Sequence, residues 1–227
     1  MVDEETIKTK LDFVKRFPIT VTIVAICILI FVINNYFLYN KNYIMIYKMY
    51  GVTDNTLKNK EYYRFLTCFF THFNVEHLLG NMLILTLIGY RVEWAVGKLR
   101  FILIYFFSGI IGGLLEFFMV SYFKIYQNYV SAGASGAIFG LIGAAVILIC
   151  FGSKRKLDIS KKEIVFLAVF MLLLGKSSGR ENINNVGHLC GLICGLFITF
   201  VIYVVEKIIE KFLKNGNGSE IKDKLVF

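Results

Sequence analysis

The stretch Val186–Val205, VGHLCGLICGLFITFVIYVV, holds no Asp, Glu, Lys or Arg, and sets one histidine, His188, among glycines at 187, 191 and 195. About 20 apolar residues at 1.5 Å each cross a bilayer core about 30 Å thick. The stretch therefore reads as a membrane-crossing helix that carries one ionisable group, and such groups are costly and usually functional. Outward from it, comparable apolar blocks run over 19–39, 77–94, 101–123 and 135–151, with a shorter one at 164–174. Six blocks predict six transmembrane helices.

The composition agrees. Of 227 residues, 57% are hydrophobic and 18% charged, with a single proline, whereas soluble chains run near ~45–50% apolar and ~25% charged. A soluble domain, a collagen-like chain and a disordered tail are excluded. No period of about 20–50 residues recurs, so neither a solenoid nor an inverted-repeat transporter gains support. The net charge of +9 does not point to nucleic acid, because of where it lies. Lys154, Arg155, Lys156, Lys161 and Lys162 fall between two apolar blocks, and Lys207, Lys211, Lys214, Lys222 and Lys224 follow the last, as in cytoplasmic loops. Lys8, Lys10, Lys15 and Arg16 precede the first block, which is too long for a signal-peptide core.

These placements put both termini in the cytoplasm. The expected organisation is a cytoplasmic segment 1–18, one membrane domain 19–206, and a solvated cytoplasmic tail 207–227. The first loop, 40–71, is long and basic yet falls outside, and long loops follow the charge rule weakly. Its NYIMIYKMYG, residues 42–51, suits a segment lying in the membrane interface. Cys27, Cys68, Cys150, Cys190 and Cys194 show no paired spacing and read as free, buried thiols. Cys190 and Cys194 are one turn apart but lack a second ligand pair, so no metal is expected.

Polar residues within the blocks converge in depth. Blocks two, four and six must all run from outside to inside. Asn81, Ser135 and His188 stand about 17–19 residues before the inner ends of their blocks, roughly 25–29 Å of helix. All three then lie at one level, a little below the outer surface. Gly136, Gly140 and Gly143 in block four, and Gly187, Gly191 and Gly195 in block six, allow close backbone approach. His188 shares the face of Gly191 and Gly195. A serine and a histidine on abutting faces make a nucleophile and base. The same residues also fit a purely structural arrangement, in which glycines pack helices, Ser135 caps block four and His188 makes an interhelical hydrogen bond.

The string GASGAIFG, Gly133–Gly140, resembles the GxSG signature of rhomboid intramembrane proteases. HFNVEHLLGN, His72–Asn81, resembles that family's second-span pattern, and GHLCGLICG, Gly187–Gly195, its last-span pattern. Three motifs in order on the matching blocks are far more specific than one. The resemblance implies a rhomboid-like, all-α, polytopic bundle. It implies Ser135 as nucleophile and His188 as general base, a dyad without a carboxylate. His77, Asn81 and the backbone N–H of Ser135 would form the oxyanion-binding group. His72 matches a structural position, Phe139 one that packs on the catalytic histidine, and Gly133, Gly136 and Gly191 belong to the motifs. Tyr63 and Arg64 resemble the first-loop Trp-Arg pair, with Tyr in place of Trp. Glu93, after Tyr90, matches a common glutamate that reads as a hydrogen-bond acceptor.

Glu116 interrupts the third block and no motif accounts for it; a protonated, hydrogen-bonded carboxyl and a proton relay are its two readings. The short fifth block and GKSSGR, residues 175–180, are expected to gate the site. The expected activity is serine-type endopeptidase cleavage of membrane proteins within their transmembrane segments, at small residues where a helix unwinds easily. Its partners would be those substrates and the lipid bilayer, without nucleic acid, and no cofactor is implied. The alternatives are a catalytically inactive rhomboid-like protein that binds membrane clients, and a transporter relaying ions through Ser135, His188 and Glu116. The bacterial plasma membrane is the expected location, since no added soluble domain or targeting peptide is seen.

Overall fold

The computed structural model describes residues 12–38, 49–125, 130–152, 157–177 and 185–215. Among these residues, six principal helices correspond to the six apolar blocks. They are α1 (Pro18–Val32), α2 (Val75–Val96), α3 (Lys98–Phe123), α4 (Ser135–Phe151), α5 (Lys161–Ser177) and α6 (Asn185–Asn215). A π-helical turn, Ile33–Leu38, extends α1, and one helical turn, Arg64–Thr67, leads into a 3-10 turn at Cys68–Phe70.

Three stretches, Pro18–Phe37, Lys98–Phe123 and Asn185–Leu213, are long and apolar enough to cross a membrane, while Ser135–Phe151 is apolar but shorter. The other two helices carry too much polarity for that criterion. α2 holds Glu76, His77, Asn81, Arg91 and Glu93, and α5 opens on Lys161, Lys162 and Glu163. Large apolar side chains stand exposed on the outer faces, among them Leu29, Phe107, Phe118, Ile193 and Phe197. Such extensive exposed apolar surface belongs in lipid, and the molecule is an integral membrane protein.

α4 lies at the centre. It is hydrophobic all round, as a fully surrounded helix must be, and Ala137, Ile138, Leu141, Ile142, Ala144 and Ala145 are buried. It packs against α2, α3, α5 and α6. The α4–α6 seam is made of glycine. A Cβ on Gly191 would run into the carbonyl oxygen of Gly136, one on Gly195 into that of Gly140, and one on Gly143 would come within 2.5 Å of the Leu192 oxygen. α3 joins the same seam, where a Cβ on Gly112 would lie 3.0 Å from the Gly191 backbone.

At the opposite end from Ser135, Glu93 organises the start of α1. Its buried carboxylate accepts from the backbone N–H groups of Ile19 (3.1 Å) and Thr20 (2.9 Å) and from the Thr20 hydroxyl (2.7 Å). Those amides belong to the first turn, which has no intrahelical acceptors, and an anion is favoured there. Pro18 opens the helix, where its missing N–H costs nothing. The acceptor reading of Glu93 is what the geometry displays.

Several sequence expectations need adjusting. The all-α reading omits a small antiparallel ladder, β1 (Val52–Thr53) with β2 (Val130–Ser131), in register Val52↔Ser131 and Thr53↔Val130. Loop backbone near lipid must find partners, and this ladder supplies them. α6 runs on past the apolar block to Asn215, 31 residues in all, or about 46 Å. Polar pairs carry the extension, Arg100–Glu206 at 2.6 Å and Lys207–Glu210 at 3.1 Å. α5 begins three residues before its apolar block because Ser160 and Glu163 form a reciprocal cap. Cys150 is exposed, whereas the other four cysteines are buried. Most of the interfacial stretch 42–51, the end of GKSSGR and the tail after 215 lie outside the described residues.

Candidate active site

No side chain caps the start of α4, whose N-cap is Ala134 and whose first residue is Ser135. The Ser135 hydroxyl Oγ lies 3.0 Å from Nε2 of His188, in the first turn of α6. The glycine seam sets this distance, because close backbones let two short side chains meet. His188 is buried, and its ring stacks on Phe139 with centroids 4.6 Å apart at 20°. Nδ1 of His188 has no hydrogen-bond partner among the described residues. Phe139, one turn after Ser135 on α4, therefore orients the imidazole through its face.

His77 and Asn81 come from the first turns of α2. Asn74 caps that helix, its Oδ1 accepting from the His77 amide at 2.7 Å. The His77 ring is wedged between neighbours. It stacks on Phe73 at 5.3 Å and 15°, lies 5.3 Å from the buried His72 ring, and its Nδ1 accepts from the Phe73 amide at 3.4 Å. With Nδ1 accepting, a neutral ring carries its hydrogen on Nε2. Gly133 closes the other side. Its φ of +116° and the 2.6 Å that would separate a Cβ from His77 Cε1 both require glycine.

Asn81 is buried and donates from Nδ2 to the His77 carbonyl at 2.8 Å. An amide nitrogen carries two hydrogens, so one remains for another acceptor. His77, Asn81, Ser135 and His188 line one cavity, together with Glu76, Gly80 and Met171. A serine hydroxyl, an imidazole and two further side chains able to donate hydrogen bonds thus share one small space.

The remaining expected residues make contacts of their own. Arg64 is buried, pairs with Glu61 at 2.8 Å, and donates from Nη1 to the Gly51 carbonyl at 2.9 Å. Tyr63 lies under its guanidinium at 5.6 Å. This clamp holds the first loop beside the ladder that precedes Ser135, and the Gly133 amide donates to the Cys68 carbonyl at 2.8 Å. The Arg64 guanidinium holds the Glu61 carboxyl below the usual carboxylate range. Glu116 is buried and accepts from the Ser131 hydroxyl at 3.2 Å. Asn74 and Phe73, which position His77, were not singled out from the sequence. An Asn directly before an apolar-periodic run is the signal that marks such a cap.

Comparison with known proteins points the same way. The family profile described as "Rhomboid domain" matches residues 59–204. The chain is 36% identical over 144 residues to "Rhomboid protease GluP" of Bacillus subtilis, covering 63% of this chain and 27% of that protein. It is 37% identical over 134 residues to "Putative rhomboid protease YdcA" of the same organism, covering 59% and 64%. "Rhomboid-like protease 3" of Toxoplasma gondii is 33% identical over 137 residues, covering 59% and 49%. The match thus spans under two thirds of the length of each of these relatives. With a domain match over more than half its residues, spanning all three motifs and the cavity around Ser135, the chain belongs to the rhomboid family.

Proposed function

We propose that this chain is an intramembrane serine endopeptidase with six spans and both termini in the cytoplasm, and that it cleaves transmembrane segments of other membrane proteins in a bacterial plasma membrane. The observation that carries the reading is the 3.0 Å approach of His188 Nε2 to Ser135 Oγ, at the edge of a cavity that also holds His77 and Asn81. In this mechanism Ser135 Oγ attacks the scissile carbonyl carbon and its proton passes to His188 Nε2. The negative oxygen that forms is stabilised by the His77 Nε2–H, the free Asn81 amide hydrogen and the Ser135 backbone N–H. The carbon–nitrogen bond then breaks, and Nε2 returns the proton to the departing amine. Water repeats the cycle on the acyl-serine ester, with the same nitrogen as base. Nε2 must be the bare nitrogen at the outset, so Nδ1 carries the hydrogen, and Phe139 keeps the ring in place where other serine proteases use a carboxylate.

Labelling of the detergent-purified, lipid-supplemented protein by a fluorophosphonate probe tests this directly. Wild type is expected to label, and Ser135→Ala and His188→Ala to lose labelling by at least ~10³-fold. A folded wild type that does not label would replace the protease reading by that of a client-binding relative without catalysis.

A further inference from the structure

Basic side chains at the end of the bundle opposite Ser135 differ in whether the protein supplies them with acceptors. Arg91 donates to the carbonyl oxygens of Leu87 and Asp158, and Arg100 pairs with Glu206 and donates to the Val96 carbonyl. For Arg16, just before α1, no carboxylate or carbonyl among the described residues accepts a hydrogen bond. Its guanidinium carbon lies 4.1 Å from the ring centroid of Trp94, in the last turn of α2, and 5.8 Å from that of Phe17. A guanidinium resting on a ring by its face keeps the N–H donors around its edge for an acceptor. Arg16 is exposed, so those donors are open to an acceptor from outside the protein.

The surroundings set the charge that this acceptor must carry. Lys15 is exposed next to Arg16, and Lys98 is exposed four residues after Trp94. Lys98 opens α3, whose first turn holds no acidic residue. Glu93, the neighbour of Trp94, is occupied by the first turn of α1, which leaves Asp12 as the acidic residue of the segment 12–17. Three cations set against one carboxylate favour a phosphate and disfavour the positive choline of a zwitterionic headgroup. Val14 and Leu99 then distinguish a phospholipid from a free phosphate. They are 44% and 67% exposed, and each adjoins one of the lysines in sequence. Apolar side chains interleaved with basic ones fit the boundary between acyl chains and headgroups, whereas a free phosphate gives them nothing to touch.

We propose that Arg16, resting on Trp94, and Lys98 at the opening of α3 bind the phosphodiester of an anionic phospholipid in the leaflet at this end of the bundle. The headgroup then joins the start of α1 to the junction of α2 and α3, which Glu93 ties from within.

Trp94 is the sole tryptophan of the chain, so its fluorescence reports on this site alone. The full chain is reconstituted in phosphatidylcholine vesicles, and quenching by phosphatidylglycerol brominated in its acyl chains is compared with quenching by brominated phosphatidylcholine at equal mole fraction. Wild type is expected to prefer phosphatidylglycerol by ~5–25-fold, and Arg16→Gln and Lys98→Gln each to lower that preference by ~3–5-fold. Arg16→Lys, which keeps the charge but loses the flat fork, should behave as Arg16→Gln does. Lys211→Gln removes an exposed cation of α6 and should change nothing. Equal quenching by the two lipids, or a preference that Arg16→Gln or Arg16→Lys retains in full, would overturn the proposal. A preference lowered as much by Lys211→Gln as by Arg16→Gln would replace the site by diffuse surface charge. Loss of the wild-type preference on adding glycerol phosphate to the buffer would replace the lipid by a free phosphate ester. None of these readouts depends on whether Ser135 is a nucleophile.

Discussion

His77 and Asn81 differ in what their neighbours leave them free to do. His77 is wedged by Phe73, His72 and Gly133, so its ring has one orientation, whereas Asn81 spends one amide hydrogen on its own helix. Removing a preorganised donor to a developing oxyanion costs about 10²–10³ in turnover. Asn81→Ala is therefore expected to lower turnover of a reporter substrate about 10²-fold while fluorophosphonate labelling persists, which separates donor loss from loss of the nucleophile. The sequence made these residues legible through the resemblance of HFNVEHLLGN to the rhomboid second-span pattern, with which their separation by four on one helix face agrees. It did not disclose Phe73 as a stacking partner, because its contact with His77 depends on the turn that precedes Asn74.

The helices are held by a few polar contacts at their ends. Glu93 is the clearest case, with three hydrogen bonds to the first turn of α1. Buried charge-assisted hydrogen bonds contribute about 1.5–3 kcal/mol each in favourable cases. Glu93→Ala is expected to cost roughly 3 kcal/mol of stability, seen as a lower unfolding midpoint in detergent, and Glu93→Gln to recover part of it as a neutral acceptor. The first loop depends on Arg64 and Glu61. Because the folded carboxyl of Glu61 titrates below its unfolded value, the pair's contribution is complete above that unfolded value and fades as pH falls through the folded one. Protection factors at the Val52 and Thr53 amides, taken relative to the intrinsic exchange rate at each pH, should fall over that acidic interval, and sooner at high salt. Two helices extend beyond their apolar blocks. α5 starts early through the Ser160–Glu163 cap, and α6 overruns through Arg100–Glu206 and Lys207–Glu210. Caps and ion pairs, which hydropathy ignores, set where a helix stops.

Across the whole molecule, the six-span reading makes a topological prediction. Reporter fusions at the two termini should give the same cytoplasmic signal, and a tag inserted near Asp54 in the first loop should report the opposite side; termini on opposite sides would refute the six-span reading. The sequence by itself determined that the chain is a membrane bundle and that Asn81, Ser135 and His188 share a depth, because helix rise is constant and membrane thickness limits each crossing. It also marked the α4–α6 seam, since glycines at four-residue spacing line one face. Only the tertiary structure decided that Ser135 Oγ faces His188 Nε2 at 3.0 Å, that Gly133 closes on the His77 ring, and that Glu116 opens into a cavity beside the same serine. Those facts depend on how each helix is rotated about its axis and where the first loop pairs with β2. Rotation and pairing follow from contacts between residues far apart in the chain, which no local periodicity encodes.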